Sequence, residues 1–125
     1  MKEVIATANA PAAIGPYSQA VKAGNTLYIS GQLPIDPVTG SFAADDIAGQ
    51  TEQSLKNIGA ILTEAGLGFS NVVKTTVLLA DIADFGAMNE VYARFFTGAC
   101  PARAAFAVKD LPKGALVEIE AVVVC

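Results

Sequence analysis

The sequence predicts an α+β domain in which two helices lie on one face of a mixed sheet, and three observations carry that prediction. Two segments repeat apolar residues at helical spacing, five others read as strands, and the order is β-β-α-β-α-β-β with no linker or internal repeat. A length of 125 residues fits one domain, residues 1–125, with a real core.

The first two strands, Gln19–Lys22 and Thr26–Ser30, are split by Ala-Gly-Asn, a hairpin signal, and "IDPVTGS" marks a further turn. Asp45 or Asp46 caps a helix running to about Ala65, with Leu55, Ile58, Leu62 and Ala65 on one stripe and Gly66 as its stop. "VVKTTVLL", Val72–Leu79, is β-branched and strand-like. Asp84 is placed to cap a second helix, Phe85–Phe96, whose Phe85, Met88, Tyr92 and Phe95 or Phe96 read as core; Gly98 and Pro101 end it. Strands Arg103–Val108 and Leu116–Val124 follow, joined by "KDLPKG".

Composition removes whole classes of chemistry. There is no histidine, which excludes Ser-His-Asp and Cys-His nucleophiles and His-rich zinc sites. Neither GxGxxG nor GxxxxGK[ST] occurs, and Asp45-Asp46 is read as a cap rather than a Mg²⁺ site. A net charge of −4, with no basic run, argues against nucleic acid as a partner. No apolar run approaches a membrane span, and no secretory signal is seen, so the expected location is the cytoplasm. Cys100 and Cys125 form no CxxC pair and are expected to be reduced. An apolar fraction of 53% is high for a soluble domain, and a second subunit is the economical place to bury the surplus.

Alternation along "LVEIEAVVV" sends Val117, Ile119, Ala121 and Val123 under the helices and Glu118 and Glu120 to the opposite face. Leu27 and Ile29 point inward, leaving Tyr28 and Ser30 on the far face. In the neighbouring strand Phe106 and Val108 belong with the helices, which puts Arg103, Ala105 and Ala107 on the far face as well. Arg103, one of two arginines in the chain, lies between alanines and a phenylalanine on what reads as a buried strand, so a negative group is expected to meet it. Two readings stand: an internal ion pair with Glu118 or Glu120, or a bidentate grip on a ligand carboxylate while a glutamate positions water. "GPYSQA" presents Tyr17 on a fixed turn, either to close a pocket or to pack locally. Asn89 and Lys74 read as solvated polar groups, with a Schiff-base role for Lys74 unsupported.

"GPYSQA", "LYISGQLPIDPVTG", "NIGAILTEAG", "MNEVYARFF", "PARAAFAV" and "LPKGALVEIEAV" together resemble the RidA (YjgF) family, over about residues 4–124. The resemblance implies a chorismate-mutase-like two-layer sandwich forming a homotrimer with sites between subunits. It implies a cofactor-independent, metal-free deaminase that hydrolyses 2-aminoacrylate, 2-iminopropanoate and 2-iminobutanoate to 2-keto acids and ammonia. Carried over by position, Arg103 binds the carboxylate, Glu118 and the Ala105 carbonyl orient water, and Tyr17 caps the cleft. Ser30, Gly31 and Asn89 line it, Pro112 shapes a neighbouring loop, and Glu120 is structural. Ala104 and Ala105 depart from the family's usual Ser or Thr and Cys, and Ala104 is expected to point toward the helices. A small-acid-binding regulatory protein, and a scaffold with Arg103 locked to Glu118, are the alternatives.

Overall fold

The computed structural model describes all 125 residues. Six strands form one sheet: β1 Lys2–Ile5, β2 Ala20–Ala23, β3 Thr26–Gln32, β4 Val72–Leu79, β5 Ala102–Ala107 and β6 Val117–Val124. Helix α1, Ile47–Glu64, follows β3, and helix α2, Phe85–Phe95, links β4 to β5. The spatial order is β1-β2-β3-β6-β4-β5; β4 and β5 run parallel, and every other pair is antiparallel. The α+β sheet-and-two-helix architecture expected from the sequence is therefore present, with β1 as an additional edge strand.

Local chemistry sets the element ends. The Asp46 side chain accepts the Gly49 N–H at 2.9 Å and so caps α1. Gly66 follows the helix at φ +75°, a left-handed conformation that glycine adopts without a Cβ penalty. The expected Asp84 cap of α2 does not form. The chain enters through a 3₁₀ turn at Ile82–Asp84, where Asp81 accepts the Ala83 N–H at 2.9 Å, so the capping carboxylate lies three residues earlier. The β2–β3 hairpin closes through Gly24-Asn25, with Gly24 at φ +60°.

The core forms between the inward face of the sheet and the apolar stripes of the helices. Leu27, Ile29, Val77, Leu79, Val117, Ile119 and Val123 meet Leu55, Ile58, Ile61 and Leu62 of α1 and Met88 and Tyr92 of α2. Alternation along β6 falls as the sequence predicts: the four inward residues are buried, while Glu118 and Glu120 point away from the helices. The outward face carries Val4, Tyr28, Phe106 and Val124, each more than two-fifths exposed. That is a large apolar content for a sheet face meeting water.

Strand β5 departs from the expected sidedness. Paired residues share a face, and β5 is registered Thr75↔Arg103, Val77↔Ala105 and Leu79↔Ala107. Since Thr75, Val77 and Leu79 are buried under the helices, Arg103, Ala105 and Ala107 stand on the helix side, and Ala104 and Phe106 on the outward side. The sidedness read from Phe106 is thus reversed, and Ala104 lies on the outward face in line with Thr76 and Glu120 rather than toward the helices. Ile58 is fully buried at the centre of this core. Ile58→Ala is expected to cost about 2–5 kcal/mol, measured by urea unfolding; a loss below 1 kcal/mol would show that the core is looser than described.

Candidate functional site

Two clefts on opposite faces of the sheet hold the polar groups singled out in the sequence. The first, about 520 Å³, is lined by Tyr17, Ser30, Gly31, Pro112, Lys113, Glu118 and Glu120 together with Ile14 and Leu33. The second, about 440 Å³, is lined by Asn89, Tyr92, Ala93, Phe96, Cys100, Pro101 and Arg103. Each falls in the ~300–1,000 Å³ range of small-ligand sites.

The first cleft is assembled by backbone capture. Gln19 is buried, accepts the Thr7 N–H at 2.7 Å, and donates to the carbonyls of Thr7, Ala10 and Pro11. This single amide pins the loop preceding β2 to the sheet. The Tyr17 N–H donates to the Gly15 carbonyl at 2.8 Å, which tightens the Gly-Pro turn and leaves the Tyr17 ring half-exposed over the cleft. The Ser30 hydroxyl donates to the Ser18 carbonyl at 2.6 Å, so its proton ties the loop to β3. Gly31 lies where β3 and β6 shift register, and Glu118 packs directly against it; a Cβ at position 31 would collide with the Glu118 carboxylate. The absent side chain is what makes room for that carboxylate.

Glu118 has no hydrogen-bond or ion-pair partner within the chain, whose one salt bridge joins Glu52 and Lys56. Burial, and secondarily the charge of nearby Glu120, raises its pKa above the ordinary glutamate range. Lys113 is the one basic side chain in this cleft, and sequence reasoning passed over it. It adopts φ +59°, ψ +18° inside the Pro112–Gly114 turn, a left-handed conformation uncommon for a lysine. Pro at the turn's first position was the legible part of this loop.

The second cleft centres on Arg103. As β5 is an edge strand, Arg103 is exposed rather than buried, and no carboxylate meets it: the internal ion pair with Glu118 or Glu120 is absent. Arg103 Nη1 instead donates to Asn89 Oδ1 at 2.7 Å. The guanidinium carbon lies 4.8 Å from the centroid of the Tyr92 ring and 5.3 Å from that of Phe85. Asn89 is therefore a partner of Arg103 rather than a merely solvated helix residue. Ala105, two residues along β5, packs against the core on the same side of the sheet. Within one chain the structure thus gathers Tyr17, Ser30, Gly31 and Glu118 on one side, and Arg103, Asn89 and Ala105 on the other. Lys74 remains exposed on β4.

A family model described as Endoribonuclease L-PSP matches residues 7–125. The chain is 55% identical over 124 residues to the mouse protein named 2-iminobutanoate/2-iminopropanoate deaminase, covering 99% of this chain and 92% of that one. The crystal structure of the Escherichia coli YjgF gene product superposes with a TM-score of 0.93 at 49% identity, over 98% of each chain. Escherichia coli TdcF with bound serine superposes with a TM-score of 0.94 at 42% identity, again over 98% of each. The match spans both clefts, from the Gly-Pro-Tyr turn through the arginine of β5 to the paired glutamates of β6, and the chain belongs to the Endoribonuclease L-PSP family, that of RidA and YjgF.

Proposed function

We propose that the protein is a hydrolytic deaminase of 2-imino acids and their enamine tautomers, 2-aminoacrylate, 2-iminopropanoate and 2-iminobutanoate among them, working as a homotrimer with each site shared by two subunits. The observation that carries this reading is the placement of Arg103 and Glu118. One is the group for a ligand carboxylate and the other an unpaired carboxylate in a cleft, yet they stand on opposite faces of one sheet. A site that uses both must be closed by a second copy, and the apolar outward face supplies a surface for it to cover. The names of the relatives support the substrate class, and the serine-bound relative supports a small amino-acid-like ligand.

The reaction needs few groups. A protonated imine next to a carboxylate is already electrophilic, so the protein must hold the acid group and aim one water. Arg103 grips the carboxylate through its fork, while Glu118 and the Ala105 carbonyl orient the water at the imine carbon. As the C–O bond forms, a water proton passes to Glu118. Glu118 returns that proton to nitrogen and then takes the remaining hydroxyl proton as the C–N bond breaks, releasing ammonia and leaving the C=O of the 2-keto acid. Tyr17 closes the cleft, Ser30 and Gly31 line the Glu118 half and Asn89 lines the Arg103 half. The expected place of work is the cytoplasm, where the free Cys100 and Cys125 stay reduced. The family description names an endoribonuclease, but a chain of net charge −4, with no run of basic residues, offers little to a phosphate backbone.

Arg103→Lys keeps the charge and loses the planar fork, which corresponds to about 1.5–3 kcal/mol for a charge-assisted bond. Turnover is expected to fall roughly 10- to 100-fold, read as loss of protection when threonine dehydratase supplies 2-iminobutanoate and semicarbazide traps it. Near-normal protection would contradict the assignment.

Glu118 must be ionised to take a proton, and its pKa is raised, so activity should be full at neutral pH and fall as pH drops, with the acid limb lying above the ordinary glutamate range. Because Glu120 contributes part of the shift, Glu120→Gln is expected to move that acid limb to lower pH. A kcat/KM profile with no acid limb above the ordinary range, or one that Glu120→Gln leaves in place, would remove Glu118 from the role.

A further inference from the structure

We propose that Phe85 and Tyr92 are positioning residues that hold the Arg103 guanidinium flat and pre-aimed, so that its in-plane N–H edge is presented to a ligand carboxylate without an internal anion to compete for it. The proposal rests on the deaminase reading of the same site and adds residues to it.

Four observations converge. Phe85, Asn89 and Tyr92 occupy positions i, i+4 and i+7 of α2 and therefore form one stripe of that helix; all three contact Arg103. Tyr92 is itself fixed: its hydroxyl shares a buried 2.7 Å hydrogen bond with Thr75 Oγ1, and Thr75 is the residue registered directly beside Arg103 on β4. The ring against the guanidinium is thus tied to the strand that carries it. Phe85 is partly buried against the core, so its ring also has a fixed seat. Finally, Arg103 lies on an exposed edge strand, where nothing else would restrain a long side chain rich in rotamers.

The chemistry of the three partners matters more than their number. Aromatic rings attract a cation through their faces and neutralise nothing, and an amide oxygen is likewise uncharged. A carboxylate in their place would hold the arginine equally well but would occupy the N–H groups the substrate needs. Asn89 engages Nη1 alone, which leaves Nε and Nη2, the side edge of the fork, without a partner in the chain. The arrangement therefore places the ordering cost of the arginine in folding rather than in ligand binding. The aromatic stripe, which the sequence presents as simple core, has one face in the core and one on the arginine.

The test compares Phe85→Leu, Phe85→Tyr and Tyr92→Phe by steady-state kinetics on enzymatically generated 2-iminobutanoate, and by calorimetric titration with 2-ketobutanoate. Phe85→Leu is expected to lower kcat/KM and weaken 2-ketobutanoate binding roughly tenfold, with the thermal midpoint little changed. Phe85→Tyr restores the ring and should recover most of that loss. Tyr92→Phe keeps a ring but frees it from Thr75, and should give a smaller loss of the same kind. The proposal is overturned if Phe85→Leu stays within about twofold of wild type, or if Phe85→Tyr is as impaired as Phe85→Leu. Failure of the underlying reading shows elsewhere: wild type that neither turns over the imine nor binds 2-ketobutanoate overturns the deaminase assignment and the clamp together.

Discussion

Side chains on a strand alternate between two faces, and in this sheet that rule fixes where every polar group of interest can be. β4 lies between β5 and β6 and transmits its register to both: Thr75, Val77 and Leu79 carry Arg103, Ala105 and Ala107 to the helix side, while Thr76 and Leu78 carry Glu120 and Glu118 to the outward side. The core enforces this arrangement, because slipping any of these strands by one residue would turn its buried set out to water. The separation of Arg103 from Glu118 is therefore a consequence of packing, and the proposal of a site shared with a second chain rests on it. The same outward face holds the two glutamates, the loop carrying Tyr17, and the exposed Val4, Tyr28, Phe106 and Val124, so the surface that a neighbour would cover borders the groups that a shared site would use.

The two halves manage charge in opposite ways. Arg103 is kept cationic and available by neutral partners, two rings and an amide, on an exposed strand. Glu118 is kept without a cation, half-buried against Gly31 and close to a second carboxylate, which makes it a better proton acceptor than an ordinary glutamate. Either group left alone is poorly compensated. In the proposed shared site, closed around a small anionic imine, each would supply what the other lacks. No histidine is required, in keeping with a chain that has none.

Much of this was legible in the sequence, for reasons that differ between elements. The inward set of β6 is wholly apolar and its outward set contains two glutamates, so the pattern admits a single orientation. Gly66, Gly24 and Asp46 mark turns and a cap whose backbone geometry demands those residue types. β1 escaped because "KEVI" is short, half charged and paired on one side only. The sidedness of β5 was misread because Phe106 is large and apolar, and such residues normally point inward. Here the inward positions 105 and 107 are alanines and Phe106 faces out, as a residue of a subunit contact would. The motifs of the family named Arg103, Glu118, Tyr17, Gly31 and Asn89, but no periodicity could show that Phe85 and Tyr92 reach the arginine. A helical aromatic stripe looks the same in sequence whether its outer edge meets solvent or a cation. Lys113 was invisible for a related reason: its left-handed backbone is a property of the folded loop.

The central claim is that one site draws Arg103 from one chain and Glu118 from another, and subunit complementation tests it most directly. Arg103→Ala and Glu118→Gln would be purified separately, each inactive, then mixed in equal amounts, dissociated and reassembled. If the site is shared, mixed assemblies contain junctions where an intact arginine meets an intact glutamate, and activity should return to about a quarter of the wild-type rate, the fraction given by random association. If each chain holds a complete site, every site carries one lesion however the chains are combined, and the mixture would remain as inactive as its components.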